Sequence, residues 1–333
     1  MKKHSKFIAL AGGVILAVVL AECASGGSTA GSSGADSESK LTIGLVMLQG
    51  DQYFQGIQDG LEAAVKADGG TVIAANSNND ASTEASAVQN MIQRQVDAII
   101  MQPVSDTGSL ATMKSVTAAN IPLICYGNCT GDSLSEDIVE GASQSDNTAL
   151  GSATGEAAAA YIKATLSGTA TIGILNCDSA AETCKLRKSG FKKALEDAGV
   201  KVTYAADQEG YLADKATPVA INMLSADPSI NLLWAANEGG TVGLVIGSKQ
   251  SGKSIPVFGT DISAQLAGFV LDADNILQAT TGQDPESTAK SAYEQAKNAI
   301  AGKANSPLEN QIKGITYNRQ DPTAATNFLA DNK

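Results

Sequence analysis

Histidine is almost missing from this chain: among 333 residues there is only His4. That one lies in an N-terminal stretch with the makeup of an export signal, so the mature polypeptide would carry none. This excludes Ser-His-Asp and Cys-His catalysis and any His-ligated metal site. Arginine is nearly as scarce, at Arg94, Arg187 and Arg319, and the net charge is −12. Nucleic acid, which demands clustered cations against phosphate, is therefore not an expected partner. Aromatic residues make up only 4% of the chain, too few for an aromatic-rich sandwich. Nucleotide-binding glycine loops are also lacking. Gln49-Gly50-Asp51-Gln52 has no spaced glycines, and Gly239-Gly240 is not followed by Lys-Ser/Thr, so no nucleotide or other cofactor is expected. Carboxylates are the acid/base groups left, which keeps a glycosidase-like pair as the enzymatic alternative. The reading without enzymatic activity is preferred.

What is present begins with Lys2, Lys3 and Lys6, the apolar run Phe7 to Leu20, and Leu20-Ala21-Glu22-Cys23. The run is too short to span a membrane comfortably and reads as a signal peptide over 1–22. Its end resembles the lipobox of bacterial lipoproteins, with Glu22 in place of the usual small residue, and makes Cys23 the candidate lipidation site. The Ser-, Gly- and Ala-rich stretch 23–39 has the composition of a flexible tether.

From Leu41 to about residue 300, short apolar runs alternate with amphipathic segments of helical period. Strands are predicted at 41–48, 71–76, 97–101, 121–126, 170–176, 200–205, 230–236, 255–259 and 276–281. Helices are predicted at 53–68, 82–94, 107–119, 146–165, 183–198, 213–226, 238–250, 263–271 and 286–301. Continuous apolar strands such as Ala98-Ile99-Ile100-Met101 imply parallel sheets covered on both faces. The length suits two such sheets, with the break near Ser145 and Asp146, after a segment at 137–143 that interrupts the alternation.

Ligands of open parallel sheets sit beyond the strand C-termini, and the chain is polar and aromatic there. Tyr53, Phe54, Tyr126 and Tyr211 fall at or just after strand ends, where rings can stack on the CH face of a sugar while Asp, Asn, Gln or Arg bond its hydroxyls. The alternative for each is packing of the loops. Four further cysteines, Cys125, Cys129, Cys177 and Cys184, also lie at strand ends of a chain that would be exported. Two local disulfides, Cys125 with Cys129 and Cys177 with Cys184, are expected, because a bridge between lobes would block closure. Free buried thiols are the alternative.

Several stretches together resemble the periplasmic sugar-binding proteins of the ribose and galactose type, the solute receptors of ABC importers. They are Tyr53-Phe54-Gln55-Gly56-Ile57-Gln58-Asp59-Gly60, Asp97 to Pro103, Ala119-Asn120-Ile121-Pro122, Ser145-Asp146-Asn147, Asn237-Glu238-Gly239-Gly240-Thr241-Val242-Gly243 and Gly259-Thr260-Asp261. The resemblance covers about 40–318. It implies the α/β periplasmic binding protein type 1 fold: two Rossmann-like lobes, each a parallel sheet flanked by helices, joined by a three-segment hinge. The lobes would be 40–145 with 284–311, and 146–283 with 312–333. The hinges would lie near Ser145-Asp146, Gln283-Asp284 and Gln311 to Gly314.

The resemblance also implies ligand contacts. Asp51 and Gln102 would bond hydroxyls from the first lobe, beside the rings of Tyr53 and Phe54. Tyr211 would stack from the second lobe, where Asn237, Asp261 and Gln283 would bond the remaining hydroxyls. Where the ribose-type pattern has Asp-Arg, this chain has Gly127-Asn128. Where that pattern has an Arg ahead of Gly190-Phe191, this chain has Lys185 and then Arg187, for which a solvated helix face is the alternative. These changes of hydroxyl-reading groups point away from ribose and toward another pentose, a hexose or a polyol. The implied role is capture of that solute by a monomer outside the membrane, in the periplasm or lipid-anchored at the outer face of the cell membrane. Delivery would be to an ABC permease with its ATPase subunits. A receptor presenting its ligand to a chemoreceptor or sensor kinase is the alternative.

Overall fold

The computed structural model describes residues 40–331 except Asp106, Asn128, Thr130 and 178–180. The signal peptide, the tether, Cys23 and Asn128 thus lie outside the described residues. The first sheet is built from β1 (Thr42–Met47), β2 (Thr71–Asn76), β3 (Ala98–Met101), β4 (Leu123–Tyr126), β5 (Gly141–Ser145) and, far along the chain, β11 (Glu309–Ile312). Its strand order is β11-β5-β4-β3-β1-β2, parallel throughout. The second sheet holds β6 (Thr169–Asn176), β7 (Lys201–Glu209), β8 (Leu232–Ala235), β9 (Val257–Thr260), β10 (Leu277–Gly282) and β12 (Ile315–Asn318). It repeats the same order, β12-β10-β9-β8-β6-β7, with only β12 antiparallel. Each sheet therefore has its topological switch point beside its first strand, between β1 and β3 and between β6 and β8.

Central strands are buried along their whole length, as in Ala98–Met101 and Leu232–Ala235, whereas the edge strands β2 and β7 have only half-buried and exposed residues. Helices α1 (Gln52–Ala67), α2 (Ala81–Gln93), α3 (Leu110–Ala118) and α9 (Pro285–Ile300) accompany the first sheet; α4 (Asn147–Thr165), α5 (Glu182–Asp197), α6 (Ala213–Ala226), α7 (Glu238–Gln250), α8 (Ala264–Leu271) and α10 (Thr323–Asp331) accompany the second. Each lobe has its own core. Leu45, Phe54, Ile57 and Tyr293 pack together in the first. In the second, Phe191 stacks on Trp234 at 4.6 Å, and the indole N–H donates to Thr154 Oγ1 at 3.1 Å.

Three strands and one helix were not apparent from periodicity. Gly141-Ala142-Ser143-Gln144-Ser145 has no apolar run, yet it is fully buried as β5 because β4 and β11 pair with its two edges and α9 covers it. Its polar side chains are satisfied inside: Ser143 Oγ donates to Ser291 Oγ at 2.8 Å. The short β11 and β12, and α10 behind them, are strands and helix by pairing and packing, with Phe328 edge-on to Tyr317 at 5.7 Å.

The chain crosses between sheets three times, after β5, after β10 and between β11 and β12. The crossings are tied together. Ser145 Oγ donates to Gln283 Oε1 at 2.8 Å, and the Asp146 N–H donates to the Ile312 carbonyl at 2.8 Å. A Cβ at Gly314 would collide with the Gly282 carbonyl and with Leu150. Gly314→Ala is expected to destabilise the chain by roughly 1–3 kcal/mol, the usual cost of overpacking against backbone, measured by urea unfolding.

Candidate functional site

The carboxyl ends of the two sheets face one cleft of about 810 Å³. From the first lobe, the turn after β1 brings Asp51, Tyr53 and Phe54 to it, and the turn after β3 brings Gln102. The crossings contribute Ser145, Asp146, Gln283 and Gln311, and the first turns of α5 contribute Glu182, Thr183, Leu186 and Arg187. Arg187 is the only cation among these lining residues, against Asp51, Asp146, Glu182 and Glu309.

Most of the acids already have work to do. Asp51 caps α1, its Oδ1 accepting the N–H groups of Tyr53 and Phe54 at 3.1 and 3.3 Å while Oδ2 accepts from the Gln49 amide at 2.5 Å. Asp146 caps α4 through the Ala149 N–H at 2.8 Å. Glu309 accepts from the Gln144 amide at 2.9 Å and from Gln311. Their charge remains, so the rim repels anions.

Aromatic groups divide by depth. Phe54 is buried, edge-on to Tyr53 at 5.2 Å and to Tyr126 at 6.4 Å. Tyr126 is wholly buried in the first core, which makes it a packing residue rather than a stacking platform. Burial, above all, pushes the Tyr53 phenol up to about 12, so it is neutral at physiological pH. The Ser145 and Thr288 hydroxyls lie near enough to lower it, but neither completes a hydrogen bond, and the Tyr53 hydroxyl is buried without a partner.

The second wall is organised around Arg187. Its Nε donates to Asn147 Oδ1 at 3.0 Å, and Nη1 donates to the Ala236 carbonyl at 3.0 Å and to Asp261 Oδ2 at 3.1 Å. Asp261 Oδ2 also accepts the Glu238 N–H at 3.1 Å, at the start of α7. The backbone of Asp261 is held at φ +72°, a left-handed region that non-glycine residues occupy at a cost, smallest for Asp and Asn. Its Oδ1 is buried and has no partner, and on the first lobe Gln102 Oε1 is in the same condition.

Two six-stranded sheets of identical order, crossed three times and opening a shared polar cleft at their carboxyl ends, match known proteins over most of the chain. The family model described as periplasmic binding protein domain matches residues 43–304. The chain belongs to that family. Among its relatives is the ABC transporter periplasmic-binding protein YphF of Escherichia coli strain K12, 29% identical over 85% of this chain and 88% of that one. The ribose import binding protein RbsB of Bacillus subtilis strain 168 is also 29% identical, over 81% of this chain and 85% of its own length. A solute-binding protein of Actinobacillus succinogenes 130z, solved with D-allose bound, superposes with a TM-score of 0.71 at 22% identity, covering 86% of this chain and all of that one.

In this periplasmic binding protein the candidates separate into those the fold brings to the cleft and those it does not. Asp51, Tyr53, Phe54, Gln102, Arg187 and Gln283 line it, whereas Asp261 is outside the lining and is tied to it through its ion pair with Arg187. Lys185 does not line it; more than half exposed, it pairs at 3.5 Å with Glu182, which does. Asn237 is consumed structurally. Its Oδ1 caps α7 through the Gly240 N–H at 3.1 Å and its Nδ2 donates to the Tyr211 carbonyl at 2.9 Å, and it lies outside the lining. Tyr211 is 51% exposed and outside the lining.

Two polar residues, one in the lining and one buried outside it, were not among the expected ligand contacts. Asn147 orients Arg187 and lies in the lining; its signal was its place at the first crossing. Asn176 ends β6 beside the switch point, 2% exposed, with Oδ1 unpartnered; its signal was the strand end itself. Among the described residues no cluster could hold a metal ion, and no helix is long and apolar enough to cross a membrane.

Proposed function

We propose that this chain captures a neutral monosaccharide or polyol in the cleft and delivers it to an ABC import permease. One observation carries the reading: buried acceptor oxygens without donors stand on both lobes, Gln102 Oε1 on the first and Asp261 Oδ1 on the second. A buried acceptor left unmade costs about 1–3 kcal/mol, and a molecule bearing several hydroxyl groups supplies donors to both at once. Bonds to both lobes are complete only when the lobes come together, so such a solute favours the closed state. Gln283, at the second crossing, and the Tyr53 ring would hold the solute at the hinge side.

Relatives and neighbours support the solute class. One relative is named a xylitol-binding protein of Mycolicibacterium smegmatis, and a structural neighbour from Agrobacterium vitis was solved with α-D-tagatopyranose bound. The acidic rim, with the charge of Arg187 matched by Asp261, argues against sugar acids and phosphosugars. The same reading holds the chain outside the membrane as a monomer, anchored through an acylated Cys23 and the 23–39 tether. No bond of the solute is broken.

A thermal-shift screen of aldopentoses, hexoses, sugar alcohols and inositols tests the proposal. At a hundredfold excess over Kd a cleft ligand stabilises by about 2.7 kcal/mol, a rise of several degrees in melting temperature. A rise with neutral polyhydroxylated compounds is expected. A response confined to amino acids, purines or anions would overturn it.

A further inference from the structure

The four buried cysteines are joined in pairs, Cys125 to Cys129 and Cys177 to Cys184, with Cα separations of 6.2 and 5.8 Å. Each pair stands at a strand end on a different wall of the cleft. Cys125 lies in β4, and Cys129 lines the cleft. The bridge encloses the turn at Gly127, whose φ of +76° lets the backbone pass under the Gln102 side chain; a Cβ there would collide with that amide. The Gln144 amide grips the other end of this turn, accepting the Cys129 N–H at 2.9 Å and donating to the Cys129 carbonyl at 2.9 Å.

On the opposite wall, Cys177 follows β6 and Cys184 sits in the first turn of α5. That helix has no side-chain cap at its N-terminus, although the turn carries Glu182, Thr183, Leu186 and Arg187 to the cleft. A covalent link to the strand end stands where a capping side chain would otherwise anchor the helix.

The bridged residues are only 4 and 7 positions apart. Loops this short restrict the unfolded chain least, so their effect on global stability is the smallest that disulfides offer. Their effect on local geometry is not reduced. We propose that the two disulfides are positioning elements of the ligand site, each holding one wall of the cleft in its binding geometry, so that solute capture requires the oxidised chain. This rests on the cleft being the solute site.

The full chain is compared in three forms: wild type, Cys125→Ser/Cys129→Ser, and Cys177→Ser/Cys184→Ser, with wild type also treated with dithiothreitol. Reduction passes two electrons and two protons to each disulfide, giving two thiols while the reagent closes to its cyclic disulfide. Binding is titrated calorimetrically with D-allose, D-tagatose, xylitol and myo-inositol. The expected result is affinity about tenfold or more weaker in both double variants and in reduced wild type, because ordering the loops is then paid at binding. Reoxidation restores it in wild type alone. Unchanged affinity in the reduced and variant proteins would refute the proposal. If none of the four compounds binds oxidised wild type, amide hydrogen exchange of the unliganded proteins decides; the sugar reading fails separately, and only if the wider screen also finds no neutral polyhydroxylated ligand. Faster exchange confined to 126–131 and 181–187 in the respective variants supports positioning. Unchanged exchange, or loss of protection spread over both lobes, overturns it.

Discussion

Asp261→Ala is expected to weaken binding of the solute by about a hundredfold or more while leaving a folded protein. A hydrogen bond to a charged group contributes roughly 1.5–3 kcal/mol, and Asp261 would give up two roles together. Its Oδ1 is the buried acceptor without a donor, and its Oδ2 holds Arg187 at 3.1 Å and the Glu238 N–H at 3.1 Å. Alanine also tolerates φ +72° less well than Asp does, a strain of about 1 kcal/mol that adds to the cost of leaving Arg187 without its carboxylate, so the melting temperature falls without any solute. Asp261→Asn separates these effects. Asparagine adopts the left-handed region readily and keeps one acceptor oxygen, but loses the charge opposite Arg187. The expected order of affinity is wild type, then Asn about tenfold weaker, then Ala. Calorimetric titration together with thermal melting of the unliganded variants checks it. Equal affinity for wild type and Ala would remove Asp261 from the site.

Much of this architecture was legible because parallel strands buried on both faces are written as apolar runs, and the helices between them as 3.6-residue periods. Ala98–Met101 and Leu232–Ala235 needed nothing more. The strand Gly141–Ser145 was illegible for a physical reason. Its burial comes from partners supplied by β11, almost 170 residues later, and its Ser and Gln side chains are satisfied by equally distant groups such as Ser291. The site was legible in position and blurred in role. An Asp or Asn between a strand end and a helix start can cap the helix or bond a solute, and the residue type is the same for both. Asp51 and Asn237 turned out to cap. Asp261 stands two residues before Ser263, which caps α8, and so keeps an oxygen free.

Lys185 and Arg187 are two residues apart, about 200° around a helix, so at most one of them can face the cleft. The structure chooses Arg187, whose side chain is 6% exposed, over Lys185 at 53%. Arg187→Met is therefore expected to be the most damaging single change on the second wall. It would leave Asp261 without its cation and the Ala236 carbonyl and Asn147 amide oxygen without their donor. Breaking a buried pair by removing one member costs about 3–5 kcal/mol; Asp261 is 22% exposed, which places this pair at the low end. Arg187→Lys would keep the charge but not the fork that reaches three acceptors at once, and should recover only part of the loss. Lys185→Ala should change stability by less than about 0.5 kcal/mol and leave affinity unchanged. Urea unfolding and calorimetric titration of the three variants provide the test. If Lys185→Ala weakens binding and Arg187→Lys does not, the Lys185 ammonium swings into the cleft on closure, and the cation that reads the solute is the other one.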